Sequence, residues 1–187
     1  MRVSAPPNVL LVPALGAQLR VTLQAIADVD TAIAPRAQEH PDFPVFDALP
    51  GAGAVFAPRL LVAFGAQRER FTSAEDLQKY AGLAPVTERR GKKSWGHWRF
   101  QCPTFLRHTF VEWAAESIRH AFWARVYDQP QRDAGKAHHA AVRALAFTWI
   151  RMLFRCWQDR TPYDASVSLN ALNRRGSSLI QNLAKAS

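Results

Sequence analysis

The fold class is decided by residues 138–159, HHAAVRALAFTWIRMLFRCWQD. The apolar residues of this stretch recur at spacings of three and four, namely Val142, Leu145, Ala146, Trp149, Ile150, Leu153, Phe154 and Trp157. This period matches the turn of an α-helix that buries one face. The pattern therefore predicts a long helix from about His138 to Asp159, with its tryptophans in the core.

Two further helices are predicted before this one. A stripe of apolar residues that includes Phe110 and Trp113 indicates a long helix from Pro103 to Tyr127. A shorter helix follows Phe71, with Thr72 or Ser73 as its cap, and ends near Gly82 and Pro85. The buried stripes place four tryptophans in the core: Trp113, Trp123, Trp149 and Trp157. No run of residues is convincing as a strand, so we predict an all-α protein.

The N-terminal part has a narrower apolar pattern. Residues 1–13 contain three prolines and are predicted to be a disordered lead-in, and residues 14–42 a coiled-coil-like linker helix. The seam of this helix has a four-three spacing and consists of Leu15, Leu19, Thr22, Ile26, Val29 and Ile33. The alternative is an ordinary helix packed on its own domain. We predict the main domain at residues 43–165 and a tail at residues 166–187.

Composition restricts the class of protein. The chain has 187 residues, a net charge of +9, a sequence pI near 10.4 and a hydrophobic fraction of 48%. It is long enough for a folded core, and its charge favours phosphate-rich partners. Two distant cysteines exclude a disulfide scaffold. No apolar run reaches the roughly 18 residues that cross a bilayer, so we expect no membrane partner and a cytoplasmic location.

A glycine-rich turn, Leu49-Pro-Gly-Ala-Gly53, leads into an apolar helix. Gly51 and Gly53 permit positive φ, and amides at the start of the following helix form a seat for a phosphate. This pattern is typical of the hairpin in a helix-hairpin-helix element, which binds nucleic-acid backbones. A plain turn between two core helices is the alternative.

A basic, aromatic segment runs from Tyr80 to Gln101. It combines five cations with two tryptophans: Arg89, Arg90, Lys92, Lys93, Arg99, Trp95 and Trp98. Cations that bind phosphates beside rings that stack on bases are typical of nucleic-acid binding. The alternative is a solvated basic loop with its tryptophans packed into the core.

Candidates for catalysis are few. Ser94 lies among cations that could hold a scissile phosphate, although a loop serine that only forms hydrogen bonds is the alternative. The acids do not suggest a metal cluster, and the adjacent His138 and His139 point in different directions on a helix. We therefore expect no metal ligand in this chain.

Five motifs occur in a fixed order: Leu49-Pro-Gly-Ala-Gly53, Phe71-Thr-Ser-Ala-Glu-Asp-Leu77, Tyr80-Ala-Gly-Leu-Ala-Pro85, Gly91-Lys-Lys-Ser-Trp95 and Arg160-Thr-Pro-Tyr-Asp164. Together they resemble the C-terminal region of the "IS one-ten" insertion-sequence transposases, which recombine DNA under the guidance of a bridge RNA. The seam at residues 14–40 is similar to the helical linker of that family.

The resemblance implies a helical domain that contacts DNA and guide RNA, works in a homo-oligomer or with full-length transposase, and uses a serine nucleophile. It also implies a preceding RNase-H-like domain with four metal-binding acids, for which this chain has no room. We therefore expect a truncated copy with no cofactor of its own. The family's serine precedes the glycine of the basic loop, where this sequence has Arg90 before Gly91. Ser94 is the fallback nucleophile, and we expect binding without independent recombination.

Two other functions are compatible with the residues. One is an active serine recombinase that works alone or with a partner that supplies the acidic domain. The other is a non-catalytic helical module that binds nucleic acid or another protein.

Overall fold

The computed structural model describes residues 7–97, 99–174, 176 and 180. It divides between His40 and Pro41 into two compact units. The first contains helix α1 (Pro7–Gln38). The second contains α2 (Phe43–Asp47), α3 (Gly53–Phe64), a 3-10 turn (Arg68–Arg70), α4 (Ala74–Tyr80), strands β1 (Val86–Arg90) and β2 (Lys93–His97), α5 (Thr104–His120), α6 (Phe122–Asp133), α7 (His138–Asp159) and α8 (Ala165–Arg174). The predicted helical class is confirmed, with a small two-stranded sheet added to it.

Residues 7–13 belong to helix α1 and do not form the predicted disordered lead-in, whereas residues 1–6 of that lead-in lie outside the described residues. The apolar side chains of the predicted seam are exposed, and their exposed fractions lie between 42% for Ile33 and 60% for Leu19.

Helix α1 also meets the length and composition expected of a membrane span, over Val9–Gln38. Polar residues interrupt this helix, so the sequence shows no continuous apolar run. Its many alanine, valine and leucine residues nevertheless keep the mean hydropathy high. Signal sequences and core helices of soluble proteins meet the same criterion, so this property alone assigns no location.

The core of the second unit is built around four tryptophans on α5, α6 and α7. All four are buried, as predicted. The rings of Trp113 and Trp123 lie 4.7 and 4.5 Å from that of Trp149. Each indole N–H has an acceptor: Pro50 O for Trp113, Tyr163 OH for Trp123, Ser117 Oγ for Trp149 and Gly65 O for Trp157. Because a buried indole N–H without an acceptor is unfavourable, these bonds fix the surrounding turns against the helices.

The predicted helix from Pro103 to Tyr127 is interrupted. Ala121 has extended backbone angles, φ −120° and ψ 117°, and separates α5 from α6. The break leaves Ala121 buried and gives α6 its own direction, with the Trp123 ring against Trp149 and its N–H on Tyr163. These tertiary contacts override a sequence whose local pattern continues a helix.

Two other predictions concern helix ends. Ser73 caps α4 as predicted, since its Oγ accepts the N–H of Asp76 at 3.1 Å. The predicted tail at residues 166–187 contains helix α8 over its first part. Asp164 starts this helix because its Oδ1 accepts both the N–H and the hydroxyl of Ser166 at 2.7 Å.

Candidate nucleic-acid interface

The basic segment forms a β-hairpin, which corrects the prediction of a loop in a chain without strands. Strands β1 and β2 are antiparallel and are joined by Gly91 and Lys92, so that Arg90 lies opposite Lys93. Gly91 has φ +60°, and among the described non-glycine residues only Arg160 has a positive φ. A glycine with positive φ at the first central position is what a type II′ hairpin turn requires.

The hairpin is exposed almost along its whole length, so its two faces are both available to a partner. Side chains alternate between the faces of a strand. One face carries Arg90 and Lys93 near the turn, followed by Glu88 opposite Trp95. The other face carries Arg89 opposite Ser94. The cations that the sequence suggested as one patch therefore surround the tip of an arm.

The charges at this tip are unfavourable for the isolated chain. Arg90 and Lys93 are directly opposite each other, and like charges in that position destabilise a hairpin. The nearby acid, Glu88, lies 3.4 Å from His97 Nε2 at the other end of the strands. A polyanion bound at the tip would remove this repulsion, which is a physical reason for such a pair at a binding site.

The remaining predicted residues of this segment have different surroundings. Trp95 is 45% exposed on the face that carries Arg90, where an indole can stack on a base. Arg99 is exposed after β2, and its carbonyl oxygen accepts a long hydrogen bond from Arg107 at 3.5 Å. Trp98 lies outside the described residues.

The base of the hairpin is fixed by Gly82. Its φ is +69°, and a side chain at this position would collide with the Sγ and Cβ of Cys102 and approach Arg99 O at 3.4 Å. The N–H groups of Leu83 and Ala84 both donate to Gln78 O, and the Gln78 side chain donates to Phe147 O on α7. The turn that includes Gly82 therefore connects the arm to the core.

Replacing Gly82 with alanine is expected to lower the free energy of unfolding by about 1–3 kcal/mol, because the new methyl group meets Cys102 and the backbone is strained at positive φ. Urea unfolding followed by circular dichroism measures this. Gly96→Ala is the matched control, since its nearest neighbour, Val86 O, is 4.0 Å from the added atom. Equal unfolding midpoints for the two variants would contradict this role of Gly82.

The two glycines of the Leu49–Gly53 turn differ in role. Gly51, with φ +74°, packs against α5, where an added Cβ would lie 2.8 Å from His120 Cδ2 and 3.3 Å from Glu116 Cγ. Gly53, with φ +50°, has no atom within 4 Å of such a Cβ and begins α3. Residues 53–55 in the first turn of α3 are exposed, and no side chain caps the helix, so this helix end is suited to an anion.

Ser94 lies on the exposed hairpin opposite Arg89. The titratable pair of the hairpin, Glu88 and His97, belongs to the opposite face of the ribbon and so does not lie beside the serine hydroxyl. A serine nucleophile needs a general base to take its proton, and Arg89, which stays protonated, cannot act as one. The role of Ser94 as nucleophile stays a prediction.

In the described part of the chain, no group of three His, Cys, Asp or Glu side chains is placed to hold a metal ion. His138 and His139 have ring centroids 5.6 Å apart. The chemistry that the arrangement supports is anion binding by cations and amides, with an exposed indole that can stack on a base.

Comparison with known proteins identifies the family to which this segment is similar. Residues 44–129 match the family model described as Transposase IS116/IS110/IS902 family. This match includes the glycine turn, the hairpin and helix α5.

Three curated relatives match a larger part of the chain. One from Streptomyces coelicolor, named for the mini-circle IS117 and for a transposase, is 32% identical over 81% of this chain and 36% of its own length. A 42 kDa protein of insertion element IS900 from Mycobacterium paratuberculosis is 31% identical over 78% of this chain and 37% of its own. A 43.6 kDa protein of insertion element IS110 from Streptomyces coelicolor is 31% identical over 83% and 38%.

The chain thus spans little more than a third of the length of these relatives. The matched segment agrees with the resemblance that the five motifs indicated. Through that segment, the chain belongs to the IS116/IS110/IS902 family of transposases.

Proposed function

We propose that this chain is a nucleic-acid-binding part of the transposase of a bacterial insertion sequence, and that the β1–β2 hairpin is its main contact with DNA. The observation that carries the proposal is the hairpin tip, where four exposed cations lie within five residues and Arg90 is held opposite Lys93. Phosphate contacts of this kind position a protein on DNA without reading the sequence of bases.

Two further features support the same function. The exposed first turn of α3 offers amides to a second phosphate, as in a helix-hairpin-helix element. Trp95 offers a ring to a base that is unstacked from its neighbours. A guide RNA has both phosphates and unstacked bases, so we include it among the partners.

The family suggests how this binding is used. The chain would position DNA for recombination, with divalent metal held by an acidic domain and not by this chain. The exposed apolar seam of α1 suits pairing with the same helix in a second copy or in full-length transposase. We place the protein in the cytoplasm, where bacterial DNA is found.

Binding to duplex DNA should fall steeply with salt, because each phosphate contact releases a counterion. Four contacts at the hairpin tip predict a slope of log K against log salt of about −3.6. Fluorescence anisotropy with a labelled duplex of unrelated sequence measures the slope. A slope near zero, or no binding at low salt, would contradict the proposed function.

A further inference from the structure

A concave surface lies between α7 and α8, and none of its lining residues belongs to the hairpin. It is a cavity of about 820 Å³. Its lining includes apolar side chains, Met152 from α7 and Val167 and Leu172 from α8. Val167 is 61% exposed, so the described residues leave this apolar surface uncovered.

The lining of this α7–α8 groove also includes three arginines, Arg151, Arg155 and Arg174. Two acids also line it, but both have local partners. Asp159 Oδ2 lies 3.8 Å from Arg155 Nε, and Asp164 accepts the two bonds from Ser166 that start α8. Three arginines and two aspartates give the groove lining a net charge of +1 beside its apolar side chains.

A ligand that suits both properties must combine anionic groups with flat apolar ones. Guanidinium groups bind phosphate oxygens in pairs and stack on bases. Duplex DNA hides its bases inside the helix, whereas a single strand exposes them to an apolar surface. Charge and shape thus favour an unpaired strand over a duplex.

We propose that the α7–α8 groove binds a short unpaired segment of nucleic acid, with phosphates on Arg151 and Arg174 and bases against Val167 and Leu172. The proposal rests on the proposed function and adds to it a separate surface for single strands. Strands that are opened during recombination, or loops of a guide RNA, have this chemistry.

The position of Cys156 in the groove lining allows a direct test. Burial raises the pKa of the Cys156 thiol, so its alkylation is slow near neutral pH and is followed with iodoacetamide at mildly alkaline pH, where more thiolate forms. Cys102 lies beside Gly82 at the base of the hairpin and reports on that region in the same sample. The extent of alkylation at each cysteine is read by peptide mass spectrometry.

An unstructured oligo-dT or oligo-U is expected to slow alkylation of Cys156 by about tenfold at saturation, whereas a blunt duplex leaves the rate unchanged. Oligonucleotide binding without protection of Cys156 would overturn the proposal. Protection by poly-glutamate but not by the oligonucleotides would also overturn it, in favour of an acidic protein partner.

Variants give an independent measure. Arg151→Gln with Arg174→Gln should weaken oligonucleotide binding by about tenfold to a hundredfold and leave duplex binding unchanged. The matched control is Arg125→Gln with Arg132→Gln, two exposed arginines of α6 outside the groove lining. Equal losses in the two double variants would overturn the groove as the site.

The outcomes separate the two proposals. Loss of duplex binding in hairpin variants, with no effect of the groove variant on oligonucleotides, leaves the proposed function intact and rejects the groove. Absence of duplex binding in the wild-type chain rejects the hairpin as a DNA contact, while protection of Cys156 by oligonucleotides still supports the groove.

Discussion

Affinity for duplex DNA falls by about a hundredfold or more, at moderate salt, when the four cations of the hairpin tip are replaced by glutamine. These are Arg89, Arg90, Lys92 and Lys93. The expected loss is large because each cation supplies a separate phosphate contact. The fold should persist, since all four side chains are exposed and the change removes the repulsion between Arg90 and Lys93.

A control with the same change in charge separates the arm from the general basic character of the protein. Four exposed cations of α5, α6 and the following turn serve this purpose, namely Arg119, Arg125, Arg132 and Lys136. Both quadruple variants reduce the net charge of +9 by four. Equal losses of affinity in the two would show that binding follows net charge and not the hairpin, which would contradict the assignment.

The second large effect concerns stability. Arg68→Ala is expected to lower the free energy of unfolding by about 3–5 kcal/mol, because it leaves the buried carboxylate of Asp42 without its main partner. Arg68 NH1 and NH2 each donate to one oxygen of Asp42 at 2.6 Å, and the guanidinium lies 4.9 Å from the Trp157 ring. Arg160 Nε, at 3.9 Å from Asp42, is too distant to replace these bonds.

Urea unfolding measures this effect, with Arg70→Ala as the control. Arg70 lies two residues away and rests on the rings of Phe71 and Tyr80 at 5.1 Å, but it has an exposed position. Its loss should cost no more than about 1 kcal/mol. If Arg68→Ala were as mild as this control, the buried ion pair would not be the main connection between Asp42 and the 3-10 turn.

The helices and the tryptophan core were predictable because their signals are local. The three-four spacing in α7 and the Ser73 cap of α4 require only neighbouring residues. The same reasoning failed at Ala121, where the ring of Trp123 against Trp149 on α7 decides the break. Contacts between residues that are distant in sequence are not encoded in a periodic pattern.

The hairpin was missed for a different reason. A strand is recognised by alternation of apolar and polar residues, which arises when one face is buried. Here almost every side chain from Thr87 to Gly96 is exposed, so selection for a core leaves no alternation. The available signal was the turn itself, in which Gly91 and Lys92 separate two segments of five residues that become β1 and β2.

Much of the candidate site followed from residue type alone. The cations, Trp95 and the two turn glycines were all singled out from the sequence. Their arrangement was not, because alternation in the hairpin sends Arg89 to one face and Arg90 to the other. The packing of Gly51 on His120 was equally hidden, and so was the groove, whose arginines come from two helices.

The most direct test of the hairpin as the DNA contact is the change in salt dependence between the wild-type chain and its quadruple glutamine variant. Each lost phosphate contact should reduce the slope of log K against log salt by about 0.9, so the slope should become shallower by about 3.6. The α5–α6 control should keep the wild-type slope. Identical slopes for the wild-type and hairpin variants would contradict the account, because the tip cations would then make no contact with phosphate.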